Sequence, residues 1–203
     1  MKIRCIDGRG YASNTYILEN NLEAFIFDPS VDEGEISQAL NEMKATPAGI
    51  ILTHGHFDHT LTLTDVREKY KVPVFIHELD GEMLTDSEKN AGKLLLWHEF
   101  KNEPAEKNFD DGDELTLGGD AVKVIHTPGH TKGSSCFLAG DILVTGDTLF
   151  ARGFGRYDLY GGDGEVLFNS LSSLKNLNST LKIHPGHGES STLGQALKSI
   201  GIL

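Results

Sequence analysis

Short apolar runs alternate with amphipathic stretches along this chain. Residues 15–19 (TYILE) and 24–28 (AFIFD) are rich in β-branched and aromatic side chains and are separated by the polar Asn20-Asn21-Leu22-Glu23. They predict two strands with a hairpin-like break between them. Residues 32–44 carry Ile36, Ala39, Leu40 and Met43 at helical spacing, with acids in the first turn, which predicts a helix. The continuous apolar run 49–52 has the character of a buried strand, residues 60–70 read as a helix, and 72–76 as a further strand. Residues 80–110 have no clear period; within them the apolar patch Leu94-Leu95-Leu96-Trp97 fits a lid or a short helix. Strand patterns return at 115–117, 122–125, 135–138 and 142–144. Residues 165–177 align Leu167, Leu171 and Leu174 on one helical face, Lys182-Ile183 is a strand fragment, and a closing helix covers 192–200. Two groups of strands, each accompanied by helices, predict an α/β fold of two packed sheets with helices outside, in one domain over residues 1–203.

Composition narrows the function classes. The 203 residues carry 18 Lys plus Arg against 30 Asp plus Glu, a formal charge of −12. Binding to nucleic acid or to an anionic membrane needs clustered positive charge, so neither partner is expected. No run of 18 apolar residues and no apolar leader occurs, and two cysteines, Cys5 and Cys136, cannot build a disulfide framework. The expected location is the cytoplasm, with both thiols in the core. Nine histidines and 23 glycines remain to be explained.

The chemistry concentrates in Thr53-His54-Gly55-His56-Phe57-Asp58-His59, directly after the apolar run 49–52. Three imidazoles and a carboxylate within six residues form a donor set that zinc and related divalent ions accept. Residues 54 and 56 can point together while 58 and 59 address a second position, so one loop can serve two metals. Three further candidates stand at strand ends: His130 in HTPGHT, Asp147 in TGDT, and His187 in HPGHG. A Pro-Gly turn precedes each of the two histidines, and Gly146 precedes Asp147, which lets the backbone turn sharply there.

The whole set resembles the metallo-β-lactamase superfamily, and the resemblance spans nearly the entire chain. It implies a four-layer αββα sandwich, two mixed sheets flanked by helices, with a dinuclear site. One metal would be held by His54, His56 and His130, the other by Asp58, His59 and His187, with Asp147 bridging them. An aspartate at position 147 disfavours the best-known β-lactamase subgroup, which uses a cysteine near there. The segments TGDTLF (145–150), TPGHTKGS (127–134) and PGHG (185–188) look like glyoxalase II, the hydroxyacylglutathione hydrolases, while RGFGRYD (152–158) resembles their short single-domain relatives and also the persulfide dioxygenases, which share the fold. Two departures stand out. Thr60-Leu61-Thr62-Leu63 replaces the glycine-containing pair usual after the histidine loop, and the chain ends sixteen residues beyond His187.

The function expected from that resemblance is hydrolysis of a thioester such as S-lactoylglutathione by a hydroxide bridging two divalent ions, most simply zinc, with iron or manganese as alternatives. Asp58 is the expected catalytic residue, orienting the nucleophile. Arg152 and Arg156 are candidates for pairing a substrate carboxylate, against an ion pair with Asp158 or Asp163. The alternatives are a mononuclear iron persulfide dioxygenase, with His54, His130 and Asp147 as its ligands, and a hydrolase of other esters or lactones. His126 and His184 are candidates to support ligands from behind; His77 and His98 are not.

Overall fold

The structure, a computed structural model, describes residues 1–203. Its first sheet carries six strands in sequence order: β1 (Lys2–Ile6), β2 (Thr15–Asn20), β3 (Glu23–Phe27), β4 (Thr46–Ile51), β5 (Val74–His77) and β6 (Lys107–Phe109). The β1–β2 and β2–β3 pairs are antiparallel, whereas β3–β4, β4–β5 and β5–β6 are parallel. Parallel pairs need crossovers, supplied by helices α1 (Glu33–Met43) and α2 (Leu63–Tyr70). The crossover from β5 to β6 holds a 3-10 run, Glu78–Leu84, and the short helix α3 (Gly92–Leu96).

The second sheet runs in the order β12-β11-β10-β9-β8-β7. Its strands are β7 (Glu114–Leu117), β8 (Asp120–His126), β9 (Ser135–Ala139), β10 (Ile142–Gly146), β11 (Lys182–Pro185) and β12 (Ser191–Thr192). Only β10–β11 is parallel, and α4 (Gly164–Ser173) makes that crossover; α5 (Leu193–Ser199) closes the chain.

The pleat sorts the core into three apolar layers, because successive side chains on a strand face opposite ways. Tyr16 and Leu18 of β2 point between the sheets with Phe27, Ile51, Val124, Phe137 and Val144. Ile17 of the same strand points outward and packs with Ile36 and Leu40 of α1 and with Leu63 and Val66 of α2. Leu143 of β10 packs on Leu167 and Leu171 of α4 and on Leu193 and Leu197 of α5. The result is the expected αββα sandwich of two mixed sheets.

Several boundaries differ from expectation for local reasons. The strand expected to run to residue 28 stops at Phe27, because Asp28 turns into the left-handed region at φ 48°. Strand β1 carries no strong apolar alternation, since it is an edge strand with Lys2 and Cys5 facing solvent. Cys5 is therefore an exposed thiol rather than the core residue expected, while Cys136 is fully buried, which pushes its thiol up to about 11. No helix is long and apolar enough to cross a membrane.

Candidate metal centre

The seven expected site residues converge on one edge of the sandwich, where loops leave the ends of β4, β8, β10 and β11. After β4, His56 starts a 3-10 turn over Phe57–His59, which is how His54 and His56 face one position and Asp58 and His59 another. Two atoms approach His130 Nε2: His56 Nδ1 at 2.9 Å and His54 Nε2 at 3.2 Å. Across the site, His187 Nε2 lies 3.1 Å from Asp58 Oδ2. Asp147 stands between, with Oδ1 3.3 Å from His59 Nε2 and Oδ2 3.8 Å from both His130 Nε2 and His187 Nε2.

Hydrogen bonds from behind fix which ring nitrogen faces inward. Thr53 Oγ1 donates to Asp28 Oδ2 at 2.7 Å, so its lone pair accepts from His54 Nδ1 at 3.1 Å. His59 Nδ1 donates to the same Asp28 oxygen at 2.9 Å, and His130 Nδ1 donates to the carbonyl of Arg156 at 2.6 Å. Each of these three rings thus carries a proton on Nδ1 and turns Nε2 to the centre. Burial and neighbouring imidazoles hold His54 well below the ordinary histidine range, and burial with His130 pulls His56 down to about 3. Both stay neutral at physiological pH, the form a metal requires. His59 moves the other way: burial opposes its charge, but Asp147 and Asp28 outweigh burial and raise it. Burial works against ionisation of Asp147 too, and His59, His130 and His187 overcome it, holding the carboxyl well below the usual range.

The donor set fits metal ions on its own geometry. His59 Nε2 and Asp147 Oδ1, both turned to the centre, are buried without a hydrogen-bond partner, an expensive arrangement for a fold that leaves them so. Candidate ligand atoms fall into three groups, each within 4.8 Å: His54, His56 and His130; His54, His59 and Asp147; Asp58, His59 and His187. Tetrahedral ligation at about 2.0–2.1 Å sets neighbouring nitrogens roughly 3.3 Å apart, close to the spacing of the first group.

Against this geometry stand the likenesses to known proteins. The metallo-beta-lactamase superfamily profile matches residues 8–187. The chain belongs to the metallo-beta-lactamase superfamily. Among curated relatives of this metallo-beta-lactamase member is the probable metallo-hydrolase YqgX of Bacillus subtilis (strain 168). The two are 36% identical over 179 residues, covering 87% of this chain and 85% of YqgX. Among solved structures, the BLEG-1 B3 metallo-beta-lactamase superposes with a TM-score of 0.89 at 33% identity, covering 97% of each chain. TTHA1623 in a di-iron-bound form superposes at 0.86 with 30% identity, covering 98% of this chain and 100% of its own. Membership in the superfamily implies divalent-metal binding, and the His/Asp cluster is where this chain offers it.

Other expected residues separate from the site. Arg152 is exposed and stands outside the cleft over the centre. Arg156 lines that cleft, but its guanidinium forks onto Asp158, Nε to Oδ1 at 2.7 Å and Nη2 to Oδ2 at 2.9 Å. The ion-pair reading of Arg156 thus describes its side chain, while its backbone carbonyl serves His130. His184 meets Ser190 and Tyr16, and His126 bonds the Lys132 carbonyl and stacks on His77; neither touches a candidate ligand.

Three supporting residues escaped the sequence reading. Asp28 also accepts from Thr53 N at 2.8 Å; its one signal was a carboxylate closing a buried strand run. Asn14 Nδ2 donates to the carbonyls of Pro185 at 3.1 Å and Gly188 at 3.0 Å, bracing the His187 turn. Asp80, wholly buried, accepts from Gly55 N (3.1 Å), Thr131 Oγ1 (2.6 Å) and Gly133 N (2.7 Å), so it ties the loop of His54 and His56 to that of His130.

Proposed function

We propose that this chain is a dinuclear metal-dependent hydrolase of thioesters. The observation that carries the reading is the arrangement of two three-residue donor groups, His54/His56/His130 and Asp58/His59/His187, on either side of Asp147. A one-metal iron dioxygenase would use His54, His130 and Asp147 and leave His56, Asp58 and His187 without a task, although these too converge on the centre. Zinc suits the imidazole-carboxylate set, and iron or manganese accepts the same donors; the di-iron form of TTHA1623 keeps iron in view.

When bound, the ions supply water activation near neutral pH and Lewis-acid polarisation of a carbonyl. The chain's own residues supply the rest. Asp28, Thr53 and the Arg156 carbonyl keep three imidazoles in the inward-facing tautomer. Asp58, the catalytic residue in this reading, aims Oδ2 into the site beside His187 and orients the nucleophile. The apolar walls of the cleft displace water from a bound substrate. A thiol leaves as a thiolate with a pKa near 8.5, so the reaction needs no dedicated acid, and the cleft contains no Ser–His dyad. The segments resembling hydroxyacylglutathione hydrolases favour an acyl-thiol substrate.

Hydrolysis of a β-lactam is the second reading, favoured by the likeness to BLEG-1. Metal analysis with a panel of S-lactoylglutathione, simple thioesters, a lactone and a β-lactam tests both. Thioester turnover proportional to metal content is expected. Turnover of the β-lactam alone selects the second reading, and full activity in metal-stripped protein overturns both.

A further inference from the structure

The cleft over the metal centre measures about 390 Å³, and half of its lining residues are hydrophobic. Its apolar lining includes Phe57, between two candidate ligands, Leu95 and Leu96 of α3, and Phe150 and Leu159. Helix α3 is unusual for a surface helix: Leu95 and Leu96 line the cleft, whereas Leu94 and the following Trp97 line a separate groove with Glu88 and Lys93. Leu94, Leu95, Leu96 and Trp97 are 63%, 44%, 36% and 91% exposed, four consecutive large apolar side chains in water. Such patches mark binding surfaces more often than isolated exposed leucines do. This one is fixed to the metal loop. Phe57 N donates to the Asn90 carbonyl at 3.1 Å, Asn90 Oδ1 accepts from Gly92 N at 3.0 Å at the start of α3, and the Phe57 and Phe100 rings lie 4.9 Å apart.

Charge in the cleft tells the same story. Apart from the candidate ligands, its one ionisable cation is Arg156, already paired in a fork with Asp158. No free cation stands in the cleft to receive a carboxylate of glutathione. The walls reward burial of hydrocarbon instead.

We propose that the substrate is a thioester with an apolar acyl group, aliphatic or aryl, packed against Phe57, Leu95 and Leu96, and that the charges of the thiol carrier contribute little to recognition. This rests on the hydrolase reading above and specifies it. In the reaction, water adds its oxygen to the acyl carbon as the carbon–sulfur bond breaks. The sulfur departs with the electron pair of that bond and takes up a proton from the same water, giving a carboxylic acid and a free thiol.

The test uses the metal-loaded protein and matched thioesters: acetyl, butanoyl and hexanoyl groups on N-acetylcysteamine, an uncharged thiol, and on glutathione, with S-lactoylglutathione alongside. kcat/KM is expected to rise roughly two- to fourfold per added methylene, equally on both thiols. Leu95→Ser and Leu96→Ser are expected to flatten that dependence at unchanged metal content. A best substrate that is S-lactoylglutathione, or a large advantage of glutathione over N-acetylcysteamine, overturns the inference while leaving the hydrolase reading intact. If no thioester turns over, the hydrolase reading fails, and binding decides this inference separately. Isothermal titration calorimetry on the metal-loaded protein measures binding of S-ethyl and S-hexyl thioethers of N-acetylcysteamine. Tighter binding of the hexyl compound upholds an apolar ligand, and equal or absent binding overturns it.

Discussion

Replacing Asp80 puts the construction of the site under direct strain. Its Oδ2 accepts from Gly55 N and Thr131 Oγ1, and its Oδ1 accepts from Gly133 N, all inside the protein. Burial pushes this carboxyl up, and the three donors pull against that. In Asp80→Ala the Thr131 hydroxyl can turn to Ser134 Oγ, 2.7 Å away, but two buried N–H groups lose their acceptor. At about 1–3 kcal/mol for each stranded donor, the cost is roughly 2–6 kcal/mol. Asp80→Asn is milder, since its carbonyl can still serve Gly55 and Thr131 while its amide faces the Gly133 N–H, stranding one donor at about 1–3 kcal/mol. In a chain of this length each kcal/mol moves Tm by roughly 2–4 °C. The asparagine variant should therefore melt roughly 2–12 °C lower and the alanine variant lower still. Gly55 lies between His54 and His56, and Thr131 follows His130, so metal affinity should fall as well, by about 10–100-fold as for other groups that orient ligands. Thermal melts of the metal-free protein and a competitive chelator titration measure the two effects. An Asp80→Ala protein that melts and binds metal like the parent would refute the clamp.

Further consequences can be checked on the same protein. His56→Ala and Asp147→Ala should each abolish thioester turnover and lower bound metal from two ions to one or fewer, read by elemental analysis. Gly186→Ala should do the same through shape alone, because a Cβ there would stand 2.1 Å from Asp147 Oδ1 and 2.6 Å from His59 Cε1; normal metal loading would contradict this. The metal-free protein should be most stable near pH 6.5. His59, raised by Asp147 and Asp28 against burial, contributes stability that is lost as pH climbs above 6.5 towards its folded value. His54 and His56, lowered by burial, contribute stability that is lost as pH falls below 6.5. Melts in chelator at pH 5, 6.5 and 8.5 should peak in the middle, and a steady trend across the three would refute the assignment.

The sandwich was legible because its central strands, such as β2, β9 and β10, are buried on both faces and separated by polar turns, as is the run Ile50-Ile51-Leu52 before the histidine loop. The candidate ligands were legible because each follows such a strand and carries a side chain with few other reasons to be there. Asp80 was invisible: its partners lie 25 and more residues away in sequence, and its own segment has no period. Arg156 misled for a related reason. Its fork partner, Asp158, sits two residues on, and nothing local says whether such a pair opens for a substrate. The α3 segment announced an apolar patch, and only the fold placed Leu95 and Leu96 at the mouth of the metal centre.

The central claim is two metals acting together on a thioester. Metal-stripped protein reconstituted stepwise with zinc, and in parallel with iron or manganese, with thioester hydrolysis followed at each ratio of ions to chain, measures it most directly. The account predicts no turnover without metal and full turnover only as the second ion binds. Saturation of activity at one ion per chain, or one iron with oxygen consumption in place of hydrolysis, would contradict it.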